Sequence, residues 1–504
     1  MIALVSIASE FRKVEDIVYP PLGLLYVGGA LKKAGFQVKI YHIFSKEIDR
    51  TAAEISKTGA DWVGFSVFTG LPCQRAAEMS RKLKALSPSM PVVWGGVHPS
   101  IAPAQCLGES YIDYIVVGEG EATVVELAAA LREGRPVEEI KSVGFKRDGK
   151  PVVNERRPLI ADLDECRMDW SLVDAGRYLR PDGAGRLGMI YVSSRGCPYN
   201  CGFCYNKKFH GGRWRAHSVD FVINDIKNLK ERYGINLVTF SDDEVFVKAE
   251  RTFEILEKLK LIGVECDWME MRFEHVTPEN LRRLSALRVR SIFLGWESGN
   301  DRILKLINKR FDTKFILEKC RILREFPEFT VDASGIIGFP TQTWEEILEN
   351  VDFAVKIAEI LPSVNFNMGT YVPYPGTELY ELAVKEGFVP PDSTEDWGKY
   401  DIISGEFALT WLPWATIRHR NVMYLIDKYA RYLDKAHYLD QKKDSFLQAL
   451  VKKILYHSAL WRMKHHFFMF PLDSRLEQWW TRRLIARRLY GSRAGKNPKS
   501  NYGE

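Results

Sequence analysis

Three cysteines within eight residues constrain this chain more than any other feature: Cys197-Pro-Tyr-Asn-Cys201-Gly-Phe-Cys204, with Tyr205 directly after. Thiols spaced that closely can converge on one metal centre. A cube of four irons held by three cysteines leaves one iron open to a further ligand, and chemistry would start at that iron. A structural zinc site instead closes its shell with four ligands. His210 or His217 could supply the fourth, so zinc stays as the competing reading. Disulfides need an oxidising compartment and a cysteine framework. This chain has 8 cysteines in 504 residues and no charged-then-apolar leader. The other five, Cys73, Cys106, Cys166, Cys266 and Cys320, are scattered singly, as buried thiols are.

Apolar residues make up 46% and charged residues 27% of the chain, as in globular domains, and 504 residues allow two to four of them. No uninterrupted apolar stretch reaches about 18 residues, so no spanning helix is expected and the default compartment is the cytoplasm. The net charge of +6 is unevenly placed. From Trp411 to the end there are 19 Lys and Arg against 7 Asp and Glu, a net of +12, which leaves −6 on the first 410 residues.

Residues 1–135 alternate short apolar runs with helical patterns: Ile2–Ile7, Val38–Tyr41, Trp62–Val67, Pro91–Trp94 and Tyr114–Val117 read as strands. Such spacing predicts a buried parallel sheet in a doubly wound α/β layer. Ligands of such sheets bind beyond the carboxyl ends of the strands. Those ends here carry Ser66 and Thr69, then Gly95, Gly96 and His98, then Gly118, Glu119 and Gly120. Residues 136–188 read as a linker with a hairpin at Lys146-Arg-Asp-Gly-Lys150. Strand and helix alternate again over 189–390. There the strand ends offer Asp242 and Asp243, then Arg272, then Glu297 and Ser298, then Gly338. Residues 391–490 read as helical, basic and aromatic, and 491–504 as a disordered tail.

The cysteine triplet with its following aromatic resembles the signature of the radical S-adenosylmethionine (SAM) superfamily. Asp242-Asp-Glu-Val-Phe246, Gly295-Trp-Glu-Ser-Gly299 and Gly338-Phe-Pro340 follow in the order found in relatives. Pro20-Pro-Leu-Gly-Leu-Leu-Tyr26, Gly95-Gly-Val-His98 and Val117-Gly-Glu-Gly-Glu121 resemble the cobalamin-binding domain that precedes many radical SAM domains. The resemblance implies a partial (β/α)6 barrel in which Cys197, Cys201 and Cys204 hold a 4Fe-4S cluster and the open iron chelates SAM. It assigns Tyr205, Asp242 or Asp243 (for the ammonium), Arg272 (for the carboxylate), Glu297 and Ser298 (for the ribose) and Gly338 (for the adenine) to SAM. It assigns Ser66, Thr69, Gly95, Gly96, His98, Gly118, Glu119 and Gly120 to cobalamin. One departure matters: the Asp-x-His-x-x-Gly motif whose histidine ligates cobalt is absent. The expectation is cobalamin without a protein histidine below cobalt. His42 as that ligand, or a domain that no longer binds cobalamin, are the alternatives.

The resemblance implies an enzyme, with methyl transfer to an unactivated carbon of a hydrophobic lipid- or tetrapyrrole-like substrate favoured. Oxidative cyclisation or carbon–carbon coupling is the rival reaction, and a non-catalytic cobalamin- or SAM-binding sensor the rival class. An external electron donor such as flavodoxin or ferredoxin is implied. The basic C-terminal segment, with Trp461, Phe467, Phe468, Phe470, Trp479 and Trp480, reads either as a helical cap over the barrel or as a peripheral anchor on the anionic inner face of the membrane. No RNA-binding signature accompanies it, so nucleic acid is not an expected partner.

Overall fold

Five short runs rich in Val, Ile and aromatic residues, buried on both faces, form the first sheet of the computed structural model, which describes residues 1–8, 19–182, 185–400, 412–439, 446–469 and 473. The strands β1 (Ile2–Ile7), β2 (Val38–Ile43), β3 (Trp62–Ser66), β4 (Val92–Gly95) and β5 (Tyr114–Val116) are parallel, in the order β2-β1-β3-β4-β5. Helices Leu22–Lys33, Ile48–Ser56 and Leu71–Leu86 connect the first four in chain order, the short helices Val97–Ile101 and Pro103–Gly108 lead into β5, and Glu121–Glu133 follows it, giving the expected doubly wound layer. The sheet then continues into a hairpin. Strands β6 (Val143–Arg147) and β7 (Lys150–Val153) turn through Asp148-Gly149, both at positive φ, and add antiparallel to β5. The first sheet therefore runs to Val153, inside the stretch 136–188 read from the sequence as linker.

The second domain is an open arc of six parallel strands in chain order: β8 (Leu187–Tyr191), β9 (Leu237–Phe240), β10 (Trp268–Glu270), β11 (Ser291–Glu297), β12 (Thr330–Ile337) and β13 (Val364–Thr370). A parallel bridge between Leu237 and Glu265 joins the first pair to the last four. Helices Val219–Tyr233, Pro278–Ala286, Thr313–Arg324 and Trp344–Ile360 each start where a Ser, Thr or Asp side chain accepts a backbone N–H: Ser218, Thr277, Asp312 and Thr343. This is the partial (β/α)6 barrel. All six strands point their carboxyl ends towards one mouth, where such folds place chemistry.

After the barrel the chain returns to the first domain. Trp397 is buried against helix Leu71–Leu86 and donates its indole N–H to Gln105 at 2.8 Å, and Arg81 pairs with Glu395 at 2.7 Å. The segment before residue 400 thus straps the two domains together, and the helical part begins later. Helix Ile417–Arg431 lies along β13, where Asp427 accepts the Met368 N–H at 2.9 Å. Helix Phe446–Lys464 packs outside it. Phe470, Trp479, Trp480 and the tail 491–504 lie outside the described residues. Among those described, no helix is long and apolar enough to cross a membrane.

Candidate cofactor and active site

The carboxyl edge of the first sheet faces the mouth of the barrel across a cavity of about 370 Å³. Ser66, Gly95, Gly96, Gly118, Glu119 and Gly120 form one wall, and Arg195, Tyr205 and Asp243 belong to the other. Leu4, Leu24, Val27, Phe65 and Val116 make its floor apolar. A second cavity, about 510 Å³, adjoins it at Gly23, Ser66 and Gly96. Gly96 shows why the edge is bare. Its φ is +95°, and a Cβ there would lie 2.9 Å from the backbone N and O of Val67. A side-chain-free sheet edge with apolar surroundings fits a large flat ring such as cobalamin.

Two expected residues are not on that wall. Thr69 and His98 hydrogen-bond to each other at 3.1 Å, and His98 is fully buried against the ring of Trp397. Both side chains are buried and neither lines the cavity. Glu119 lines the cavity but its carboxylate is engaged across the domain junction. It accepts from Arg195 at 3.1 Å and Arg215 at 2.9 Å, and also takes the Ile160 N–H at 2.8 Å. Arg195 in turn pairs with Glu121 at 2.7 Å and lies over the ring of Tyr26.

The cysteine loop leaves the end of β8. Gly196, at φ +83°, is forced: a Cβ there would collide with the Arg213 carbonyl. The three thiols are free, and burial pushes those of Cys197 and Cys204 up to about 12. A buried thiolate needs a compensating positive charge, which iron would supply. No three Cys, His, Asp or Glu side chains among the described residues converge tightly enough to hold a single ion. A cube places its three thiolates on separate irons and tolerates the wider spacing. The zinc alternative loses its fourth ligand. His217 sits between Tyr26 and Asp164, 3.1 Å from each, and His210 contacts Arg215 at 3.3 Å. Tyr205 packs edge-on against Phe68 of the first domain, with ring centroids 5.3 Å apart.

Asp242 and Asp243 separate cleanly. Asp242 is buried and accepts from the Ser193 N–H, the Ser193 hydroxyl and the Ser194 hydroxyl at 2.7, 2.7 and 2.5 Å, so it locks the end of β8 rather than facing a ligand. Asp243 faces the cavity and accepts the Gly196 N–H at 2.8 Å. Arg272 lies over the ring of Tyr199, 3.7 Å from its centroid, with Nη1 4.0 Å from Cys201 Sγ. Glu297 occupies a β-bulge with φ +58° and forms a buried ion pair with Lys309 at 2.8 Å. Ser298 is fully buried and donates to Asn350 at 2.9 Å, which secures the turn after β11. Gly338 gives its N–H to Gln342 at 2.7 Å and is covered by Met423 and Leu412 of the C-terminal segment. Asp242, Ser298 and Gly338 thus build the site's frame, and Thr69 and His98 that of the first domain.

Sequence reasoning missed Glu244, Glu270 and Lys309. Burial pushes Glu270 up to about 8, with Glu244 as the next cause, and burial alone dominates the rise of Glu244 to about 7. The charges of Asp243, Glu297 and Lys309 also act on Glu270. Strand alternation could have found it. Met269 and Met271 are buried in the core, so Glu270 and Arg272 share the opposite, inward face. Lys309 lies in a loop and carries no local signal. A compact cation bound beside the thiols would let Glu244 and Glu270 give up their protons, so the pocket suits a cationic ligand.

Comparison with known proteins agrees with this division. Residues 16–128 match the family model "B12 binding domain" and residues 191–354 match "Radical SAM superfamily". The chain is 31% identical over 410 residues to an uncharacterized methyltransferase, PH0819, of Pyrococcus horikoshii, covering 80% of this chain and 86% of the relative. It is 27% identical to the anaerobic magnesium-protoporphyrin IX monomethyl ester cyclase of Synechocystis, with 78% of each chain covered. Among solved structures it is similar to the radical SAM methyltransferase TsrM of Kitasatospora setae with cobalamin and a [4Fe-4S] cluster bound: TM-score 0.63, 16% identity, 92% of this chain and 99% of that one.

Proposed function

The chain belongs to the radical SAM enzymes that carry a B12-binding domain, and from that premise we propose that it methylates an unactivated carbon of a hydrophobic substrate. One observation carries the reading: a single cavity is walled on one side by the bare sheet edge and on the other by residues of the cluster loop. When bound, the reduced cluster with SAM supplies radical-generating cleavage, and cobalamin supplies a transferable methyl group. The chain's own residues bind, orient and shield. Asp243 and Glu270 would hold the ammonium of SAM, Arg272 its carboxylate, and Glu297, now paired with Lys309, its ribose hydroxyls. The apolar floor, made of first-domain residues, would lie under cobalamin and keep water from the cavity, which protects a reactive radical.

We further read cobalamin as held without a histidine below cobalt. His42 lines the adjoining cavity, and its Nδ1 contacts the Tyr178 hydroxyl at 2.8 Å. Burial and the Arg177 charge lower it to about 4. A metal-ligating histidine is usually made more basic by a carboxylate partner, and His42 has the opposite surroundings. Similarity to the cyclase keeps ring-forming oxidation as the second reading. Product analysis separates them. Anaerobic, reduced enzyme given SAM and substrate should yield both 5′-deoxyadenosine and S-adenosylhomocysteine. 5′-Deoxyadenosine without S-adenosylhomocysteine would favour cyclisation, and neither product would favour a sensor.

A further inference from the structure

Helix Phe446–Lys464 is apolar on two opposed faces. Val451, Leu455, Ala459 and Met463 are buried against the protein. On the far side Phe446, Leu450, Ile454 and Trp461 are 86, 43, 45 and 51% exposed. Their spacing places them on one stripe of the helix surface, and exposed Leu447, Phe467 and Met469 lie at its sides and end. Apolar residues exposed singly need no explanation, but a continuous stripe does. The helix carries no Asp or Glu, and of its four cations Arg462 is buried on Asp473 at 2.8 Å and Lys464 pairs with Glu359 at 2.6 Å, while Lys453 is exposed beside the stripe. It sits in a segment, residues 411–504, whose net charge is +12, from 19 basic and 7 acidic residues.

We propose that this stripe seats the protein on an anionic bilayer surface. Phe446, Leu450, Ile454 and Trp461 enter the headgroup boundary, and Lys453 together with the segment's excess of basic residues meets the lipid phosphates. The face is apolar enough to insert shallowly, and its helix, 19 residues long with four Lys or Arg, is too polar to span. Charge selects the occupant. A second copy of this chain would bring a like-charged segment to the same face, whereas an anionic surface attracts each Lys or Arg near it. Of the aromatics expected to insert, Trp461 and Phe467 are exposed as the proposal needs, while Phe468 is buried against Tyr429. Helix Ile417–Arg431, in contrast, buries Met423, Ile426, Tyr429 and Ala430 and so acts as a cover for the barrel. The docking proposal does not depend on which reaction the cavity performs.

The test is flotation of the full-length, cofactor-loaded protein with vesicles of mixed phosphatidylglycerol and phosphatidylcholine, or of phosphatidylcholine alone. The protein should float with the anionic vesicles at about 0.1 M salt, release as salt rises, and float weakly with neutral ones. Phe446→Ser/Leu450→Ser/Trp461→Ser should lower the partition by at least about tenfold while retaining the thermal midpoint, because all three side chains are exposed. Brominated lipid should quench fluorescence of the natural protein more than of Trp461→Phe. A protein that stays unbound with anionic vesicles at low salt overturns the proposal. So does a folded triple variant that binds as well as the natural chain. A triple variant that changes only from dimer to monomer in sedimentation, with no vesicle binding by either protein, assigns the stripe to a second copy instead.

Discussion

Asp242 and Asp243 are neighbours in the chain with different surroundings: one locks Ser193 and Ser194, and the other faces the cavity. Glu270 shows what the same barrel mouth does to a carboxylate without such donors. In the cofactor-free protein it holds its proton up to about pH 8, whereas in the unfolded chain it ionises near about 4.3. The folded state therefore binds more protons between those values, and stability is lost as pH rises through that window. Glu270→Gln should raise the thermal midpoint of the cofactor-free protein by a few degrees at about pH 8.5 and leave it nearly unchanged near about pH 5. Scanning calorimetry at the two pH values checks this, and an equal change at both would mean that the burial of Glu270 has another basis. In the loaded enzyme the ammonium of SAM would favour ionised Glu270, so the same substitution should weaken SAM binding.

At the scale of elements, strand ends carry the design. Glycines at the ends of β4 and β5 clear the cavity, Asp243 after β9 charges its far wall, and Glu270 and Glu297 at the ends of β10 and β11 charge the adjoining barrel mouth. His42, near the end of β2, is the test of what lies below cobalt. His42→Ala should retain cobalamin with an unchanged base-off absorption spectrum, and loss of cobalamin or a changed spectrum would make His42 the ligand. Much of this is legible in the sequence, because the strands are short apolar runs and the cysteine spacing is local. The doubly wound sheet and the open barrel follow from such patterns. What escapes depends on contacts distant in sequence. Thr69 turns to His98, Glu119 to Arg195 and Arg215, and Glu297 to Lys309, and no local pattern encodes which way a strand-end side chain turns. The hairpin β6–β7 is recognisable locally, but its pairing with β5 is not.

At the scale of the molecule, the two domains are joined at the cavity itself. Glu119 and Glu121 of the first domain grip Arg195, two residues before Cys197, and Tyr205 packs on Phe68. The strap around Trp397 closes the far side. Breaking a buried ion pair by removing one partner typically costs about 3–5 kcal/mol, so this junction resists sliding of one domain over the other. Everything proposed for the chemistry depends on one cavity bringing cobalamin and the iron–sulfur cluster face to face. Electron paramagnetic resonance of the loaded protein measures this directly. The cob(II)alamin signal should relax faster when the cluster is reduced to its paramagnetic state, and Cys197→Ala/Cys201→Ala/Cys204→Ala should keep cobalamin yet lose both the cluster and the enhanced relaxation. Cob(II)alamin relaxation that is identical in the loaded natural protein and in the triple variant would show that the two cofactors do not share the cavity.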